Sequence, residues 1–297
     1  MSKRTWALLA ATIVSIIYGV TFTIAKDVMP KYIEPFGFIL MRVGGSMLLF
    51  WLITPFFSTE KIEKQDFPRI IAAAFFGVAL NMLTFFKGLS YTSPIMGAVL
   101  MVTTPMIVLV LSAILMKERM QNRKIYGLIL GLIGTIFLII YGKSVINASN
   151  ATLGNILVFI NAVSYGFYLI IVKKLMDKYN AFAFVKWIYT FGFLMVLPFG
   201  WSEFQAVDFT NVPMDIFWKI GFVVVFSTFL TYLLNLVSMR ELKPTTVAVF
   251  IYLQPLFATI FAVSLGKDDV TWVKIISAVL IFTGVYLVTQ KKSFQSQ

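Results

Sequence analysis

The chain has 297 residues, of which 59% are hydrophobic and 13% charged, about half the charged share of a soluble domain. That composition excludes a soluble protein and calls for lipid as the solvent, where a spanning helix uses about 20 apolar residues. The absence of Cys and His excludes thiolate nucleophiles, imidazole bases, disulfides and the usual zinc and haem sites, so no cofactor is expected.

Ten spanning helices are predicted in chain order. The first, over 5–25, follows Ser2, Lys3 and Arg4 and is too long for a signal-peptide core, so a retained helix is expected. The second, over 35–57, carries Arg42 about seven residues in, roughly 10 Å from its outer edge. Arg42 either snorkels outward as an anchor or points inward towards an anionic or carboxylate-bearing solute. The third, over 68–89, sets Asn81 and Thr84 on one face, and the fourth, over 93–116, holds Thr103, Thr104 and Pro105. The fifth, over 124–142, spaces Gly127, Gly131 and Gly134 for close helix packing.

The polar stretch 143–152 is expected to link this group to a second. The sixth helix, over 153–173, lines Asn161, Tyr165 and Tyr168 along one stripe. The seventh follows over 181–200, and the eighth, over 215–238, pairs Tyr232 with Asn235. The ninth, over 244–266, carries Tyr252, Gln254 and Pro255, and the tenth covers 270–290.

Placing the N-terminus in the cytoplasm sorts the 25 Lys and Arg into 16 inside and 7 outside, with Arg42 and Lys186 within spans. This bias and an even helix number put both termini inside a cell (inner) membrane. The formal charge of +12 is then an orientation signal, and nucleic acid is not expected as a partner. The expected partners are the bilayer and a small-molecule solute, and one copy of the chain suffices for this reading.

Sliding the chain by 150 residues sets Pro94 on Pro244, Pro105 on Pro255, Lys117-Glu118 on Lys267-Asp268 and Gly134 on Gly284. A shift of 147 sets Tyr18-Gly19 on Tyr165-Gly166 and Lys31-Tyr32 on Lys178-Tyr179. Two units follow: 1–142 with helices 1 to 5, and 153–297 with helices 6 to 10 and a short tail. Five helices is an odd number, so the second unit must enter the membrane with opposite polarity. The expected fold is an all-α membrane protein of ten transmembrane helices in two inverted five-helix repeats, a design found in alternating-access transporters.

The stretch from Leu89 to Gly142, with Tyr91-Thr92-Ser93-Pro94, Thr104-Pro105 and Lys117-Glu118-Arg119, resembles the EamA-type drug/metabolite transporters. Arg42 matches the arginine usual in their second helix, and the resemblance covers essentially the whole chain in two copies. It implies ten helices, cytoplasmic termini, a central cavity between the halves and movement of small metabolites, often amino acids and commonly outward. The second copy departs from the pattern, with Tyr189 where Arg42 would be and Gly266-Lys267-Asp268 in place of the Lys-Glu-Arg ending.

Pro105 and Pro255 each remove an amide donor near a helix centre, which marks either a midplane site or a pair of packed kinks. Substrate-binding candidates are Tyr18, Thr21, Arg42, Asn81, Thr84, Thr103, Asn161, Tyr165, Tyr168, Tyr232, Asn235, Tyr252 and Gln254, flanked by those two helix breaks. Any single one can instead be a hydrogen bond between helices. Glu118 is expected to cap helix 5 or to pair locally. All 13 acidic residues fall in loops or at helix ends, so no midplane carboxylate carries protons and cationic drugs are disfavoured. A secondary transporter of small organic metabolites is therefore expected, as exporter or facilitator. A channel, a scramblase or a membrane transferase are the alternatives.

Overall fold

The computed structural model describes residues 2–57, 60–91, 100–118, 121–140, 151–264 and 270–290. Among them the regular structure is entirely helical. The first unit contributes α1 (Lys3–Val28), α2 (Pro35–Phe57), α3 (67–91), α4 (Thr104–Leu115) and α5 (Asn122–Ile140). The second contributes α6 (Ala151–Met176), α7 (Ala181–Gln205), α8 (214–241), α9 (244–264) and α10 (Trp272–Thr289). Nine described helices are long and apolar enough to cross a membrane, and the described part of the fourth is a shorter apolar helix. Much of the expected linker, at 143–150, and the motif residues Thr92, Ser93 and Pro94 lie outside the described residues. So do Asp268 and Asp269. Residues 151 and 152, expected in the linker, already belong to α6.

Local chemistry sets the ends. Ser2 accepts from the Thr5 amide at 3.1 Å, Asn180 from Phe182 at 3.1 Å, and Thr271 from Lys274 at 3.4 Å, each meeting a first-turn donor the helix cannot satisfy. At α2, whose first residue is Pro35, the Glu203 carboxylate from the end of α7 supplies the cap. It accepts from the Phe36 and Gly37 amides at 2.6 and 2.8 Å, placing negative charge on the positive end of the helix.

The repeat is visible in the packing. The two most extensive helix pairs are α2 along α7 and α5 along α10, each joining one helix to its repeat counterpart. The remaining helices exchange partners: α1 packs on α8 and α9, and α6 packs on α3 and α4. That is the relation an inverted repeat requires. Close approach of α5 and α10 depends on glycine. A Cβ on Gly127 would lie 2.8 Å from the Gly284 carbonyl oxygen, and one on Gly284 would lie 2.6 Å from that of Gly127.

The start of α1 and the end of α10, the described termini, share one face. The Arg4 guanidinium donates to the Thr289 carbonyl, and Arg123 donates to the Gln290 carbonyl at 2.6 Å. On the same face Lys178 pairs with Asp66 at 2.6 Å and Glu63 at 2.9 Å, clasping the start of α3 to the α6–α7 turn. Hydrogen bonding to Lys178 holds the Glu63 carboxyl below its usual range, and the bonds to Asp66 and then Glu63 raise the lysine. On the opposite face Lys219 joins Asp27 at 2.8 Å and Asp215 at 3.2 Å.

Four predicted helices are not uniform. Five residues of α3, Phe75–Ala79, and six of α8, Val225–Leu230, form π turns. They begin 150 residues apart, so the irregularity obeys the repeat. Likewise α4 is preceded by a turn at 102–103, and α9 tightens into a 3-10 turn at Val249–Tyr252 just before Leu253–Ser264. Pro105 and Pro255 sit in the first turn of the segments that follow, where the missing amide costs little.

Candidate functional site: a tyrosine and arginine centre between the repeats

Arg42 points inward from α2, with 8% of its surface exposed. Its Nε donates to Thr228 Oγ1 at 3.1 Å, and its guanidinium carbon lies 5.9 Å from the centre of the Phe86 ring. Thr228 can accept because its own hydroxyl proton goes to the Val223 carbonyl, 2.8 Å away and five residues earlier, across the π turn of α8. No carboxylate among the described residues lies within ion-pair distance of Arg42. A guanidinium has five donors, and the Nε bond to Thr228 uses one of them.

Beside it the aromatic rings form a connected set. Tyr189 on α7 lies 5.1 Å from Tyr232 on α8, Tyr232 lies 6.0 Å from Tyr168, and Tyr168 lies 6.0 Å from Tyr165 on α6. The Tyr232 hydroxyl donates to the Gly77 carbonyl at 2.7 Å, tying the π turn of α3 to α8. Gly77 is required there, since an added Cβ would lie 2.1 Å from the Tyr168 ring. From α1 the Tyr18 hydroxyl reaches Thr231 Oγ1 at 3.2 Å. The hydroxyls of Tyr168, Tyr189 and Ser227 and Oδ1 of Asn161 are buried without a hydrogen-bond partner among the described residues. Buried polar groups are ordinarily paired; the hydroxyls of Ser112, Tyr252 and Ser277 are buried without a partner among the described residues as well.

The sequence candidates separate into groups. Tyr18, Arg42, Tyr165, Tyr168 and Tyr232 gather in this centre. Asn81 and Asn161 pair with each other's backbone instead, at 2.7 Å from Asn161 Nδ2 to the Asn81 carbonyl and 3.4 Å in reverse, joining α3 to α6. Thr21, Thr84 and Thr103 each donate to a carbonyl on their own chain segment, at 2.7, 2.6 and 2.6 Å. Tyr252 is fully buried with its ring against Gly131 of α5, away from the tyrosine set. Asn235 is buried on α8, and Gln254 and Pro255 are half-buried at the start of Leu253–Ser264.

Tyr189, Thr228, Thr231 and Phe86 join the centre without having been singled out as site residues. Tyr189 carried a signal, because it occupies the repeat position of Arg42. The two threonines carried none, being unremarkable hydroxyls in an apolar run.

Burial is uneven along the membrane normal. On α9 residues 244–253 are all buried, whereas Gln254, Pro255, Phe257 and Ala258 are partly exposed. On α1 the buried positions Ala7, Ala10, Ala11, Val14 and Ser15 give way to partly exposed Tyr18 and Thr21. The half nearer the termini is closed by Ser238 donating to the Ala7 carbonyl at 3.0 Å and Ser15 to the Phe250 carbonyl at 2.9 Å. At its rim Glu118 binds Lys124 at 2.6 Å, Lys243 at 3.4 Å and the Thr245 hydroxyl at 3.3 Å.

The sequence matches the EamA-like transporter family twice, over residues 5–140 and 152–290. An uncharacterized transporter of Bacillus subtilis (strain 168), YyaM, is 24% identical, with 91% of this chain and 89% of the relative aligned. An uncharacterized transporter of Archaeoglobus fulgidus is 25% identical over 97% of this chain and 100% of its own. A protein solved by crystallography shares the fold at 13% identity and a TM-score of 0.79, covering 96% of this chain and 97% of that one. With two family matches that together span the inverted repeats, this chain belongs to the EamA-like transporter family, as a multi-pass membrane transporter rather than an enzyme.

Proposed function

We propose that the protein is a secondary transporter of small carboxylate-bearing metabolites, amino acids among them, working by alternating access as exporter or facilitator. It resides in the cell membrane with both termini cytoplasmic, following the bias of Lys and Arg. The observation that carries this reading is Arg42: a buried guanidinium without a carboxylate partner among the described residues, at the meeting of two inverted repeats. Leaving a charge unpaired in the membrane is expensive, and a planar fork of donors fits a carboxylate bidentately. The tyrosine rings alongside offer apolar faces for the rest of the solute and hydroxyls for its polar groups.

The described buried acids, Asp66 and Glu118, are both at helix ends on the face of the termini. The proposed cycle therefore uses no midplane carboxylate for protons, and the solute moves down its own gradient or by exchange.

Ligand-induced thermal stabilisation tests the assignment, because only a ligand that prefers the folded state raises the unfolding temperature. Free amino acids should stabilise the wild type more than their amides. Arg42→Gln should abolish that preference, and Arg42→Lys should retain it only in part. Equal stabilisation by acids and amides in the wild type would contradict the reading.

A further inference from the structure

On the face of the termini, a concavity of about 510 Å³ opens where the end of α2 meets the start of α7. Its wall includes Thr54, Glu60, Lys61, Phe67, Lys186 and Trp187. Lys186 lies five residues into α7, about 8 Å along the helix. Its Nζ sits 4.6 Å from the Trp51 ring centre, and no carboxylate among the described residues is within ion-pair distance of it. The Trp51 indole is held by donating to Thr190 Oγ1 at 2.9 Å and lies edge-on to Trp187 at 5.2 Å. Lys61 is exposed, also without an acidic partner among the described residues. Glu60 accepts from the Asn180 amide at 2.7 Å.

The inverted repeat supplies an internal comparison. A second concavity, of about 400 Å³, is lined by Leu197, Pro198, Trp201 and Ser202 on the opposite face. With the 147-residue offset, Trp201 and Ser202 correspond to Thr54 and Pro55, so the two hollows occupy equivalent places in the fold. The hollow therefore comes from the architecture, whereas the two lysines belong to one leaflet only.

We propose that the hollow beside Lys61 and Lys186 binds the headgroup of an anionic phospholipid from the leaflet on the side of the termini. A lysine this far into an apolar span needs either a route to water or an anion brought to it. The tryptophans fix the depth at the interface, where indoles sit beside headgroups. Two ammonium groups against one carboxylate leave the wall net positive, matching a headgroup with one net negative charge. Basic groups at this level attract anionic lipid.

The test is the unfolding temperature of the full chain in detergent, titrated with phosphatidylglycerol, phosphatidylcholine or inorganic phosphate. Phosphatidylglycerol is expected to stabilise the wild type more than either comparator. The K61Q/K186Q variant should lose at least about half of that excess. Arg240→Gln, at an exposed basic position on the same face, should keep it. Should the double variant fail to fold, Lys61→Glu in the exposed loop serves, with the same loss expected. Equal stabilisation by phosphatidylcholine or by phosphate would overturn the proposal. So would an unchanged excess in the lysine variants, or an equal loss in Arg240→Gln.

Discussion

Arg42 and Gly77 show how single residues build the centre. Arg42 is received by Thr228, which can accept because a π turn lets its hydroxyl donate five residues back. Gly77 plays the opposite part, giving up its side chain so that the Tyr168 ring can enter and its carbonyl can receive Tyr232. Replacing Gly77 with Ala would place a methyl group 2.1 Å from that ring. Overpacking of this kind costs about 2 kcal/mol, and Tyr168→Ala added to Gly77→Ala should recover part of it, because the two sites share one contact. Thermal unfolding of the single and double variants in detergent checks this. A Gly77→Ala protein that melts with the wild type would show that the ring is not held there.

At the scale of elements, each irregular segment has a counterpart in the other repeat. Tyr232, just after the π turn of α8, bonds to Gly77 within the π turn of α3, and the breaks that precede Pro105 and Pro255 fall at matched positions. The prolines were legible in the sequence because the missing amide is encoded in the residue type. The π turns were not, because Phe75–Ala79 and Val225–Leu230 are as apolar as their flanks and hydrophobic periodicity cannot report one inserted residue.

Glu118 belongs to this scale as well. Its local pairing was expected, but its reach across to the start of α9 was not, since nothing in spacing brings residue 118 to Thr245. Lys124 and Glu118 have only 9% and 5% of their side chains exposed. Glu118→Gln leaves that lysine uncompensated and should cost about 3 kcal/mol. The exposed Lys243 contributes little by comparison. The check is thermal unfolding of Glu118→Gln beside Lys243→Gln; comparable small losses in both would contradict the ranking.

Over the whole molecule, what was legible follows from what the bilayer demands. Long apolar runs are obligatory for spanning helices, and duplication leaves a fixed offset, so ten predicted spans and their inverted pairing could be read directly. The site was legible only in outline. Polar residues within spans have two fates, and the sequence does not distinguish them. Asn81 and Asn161 became a bond between helices, and Thr21 and Thr84 became bonds within one, while Tyr18, Arg42, Tyr165 and Tyr168 converge. Convergence is set by the exchange of partners between α1 and α6, a property of the assembled repeats. The same assembly leaves Tyr18 and Thr21 partly exposed on α1, while Ala7, Ala11 and Val14 of α1 and residues 244–253 of α9, nearer the termini, are buried.

The measurement that bears most directly on the proposed transport is counterflow in proteoliposomes. Vesicles are loaded with unlabelled amino acid and diluted into trace labelled amino acid, with equal pH on both sides. The account predicts a transient accumulation of label that saturates with concentration, needs no pH gradient and falls more than about tenfold in Arg42→Gln, a loss of at least 1.4 kcal/mol. Label that enters only when a pH gradient is imposed, or that accumulates equally in Arg42→Gln, would contradict it.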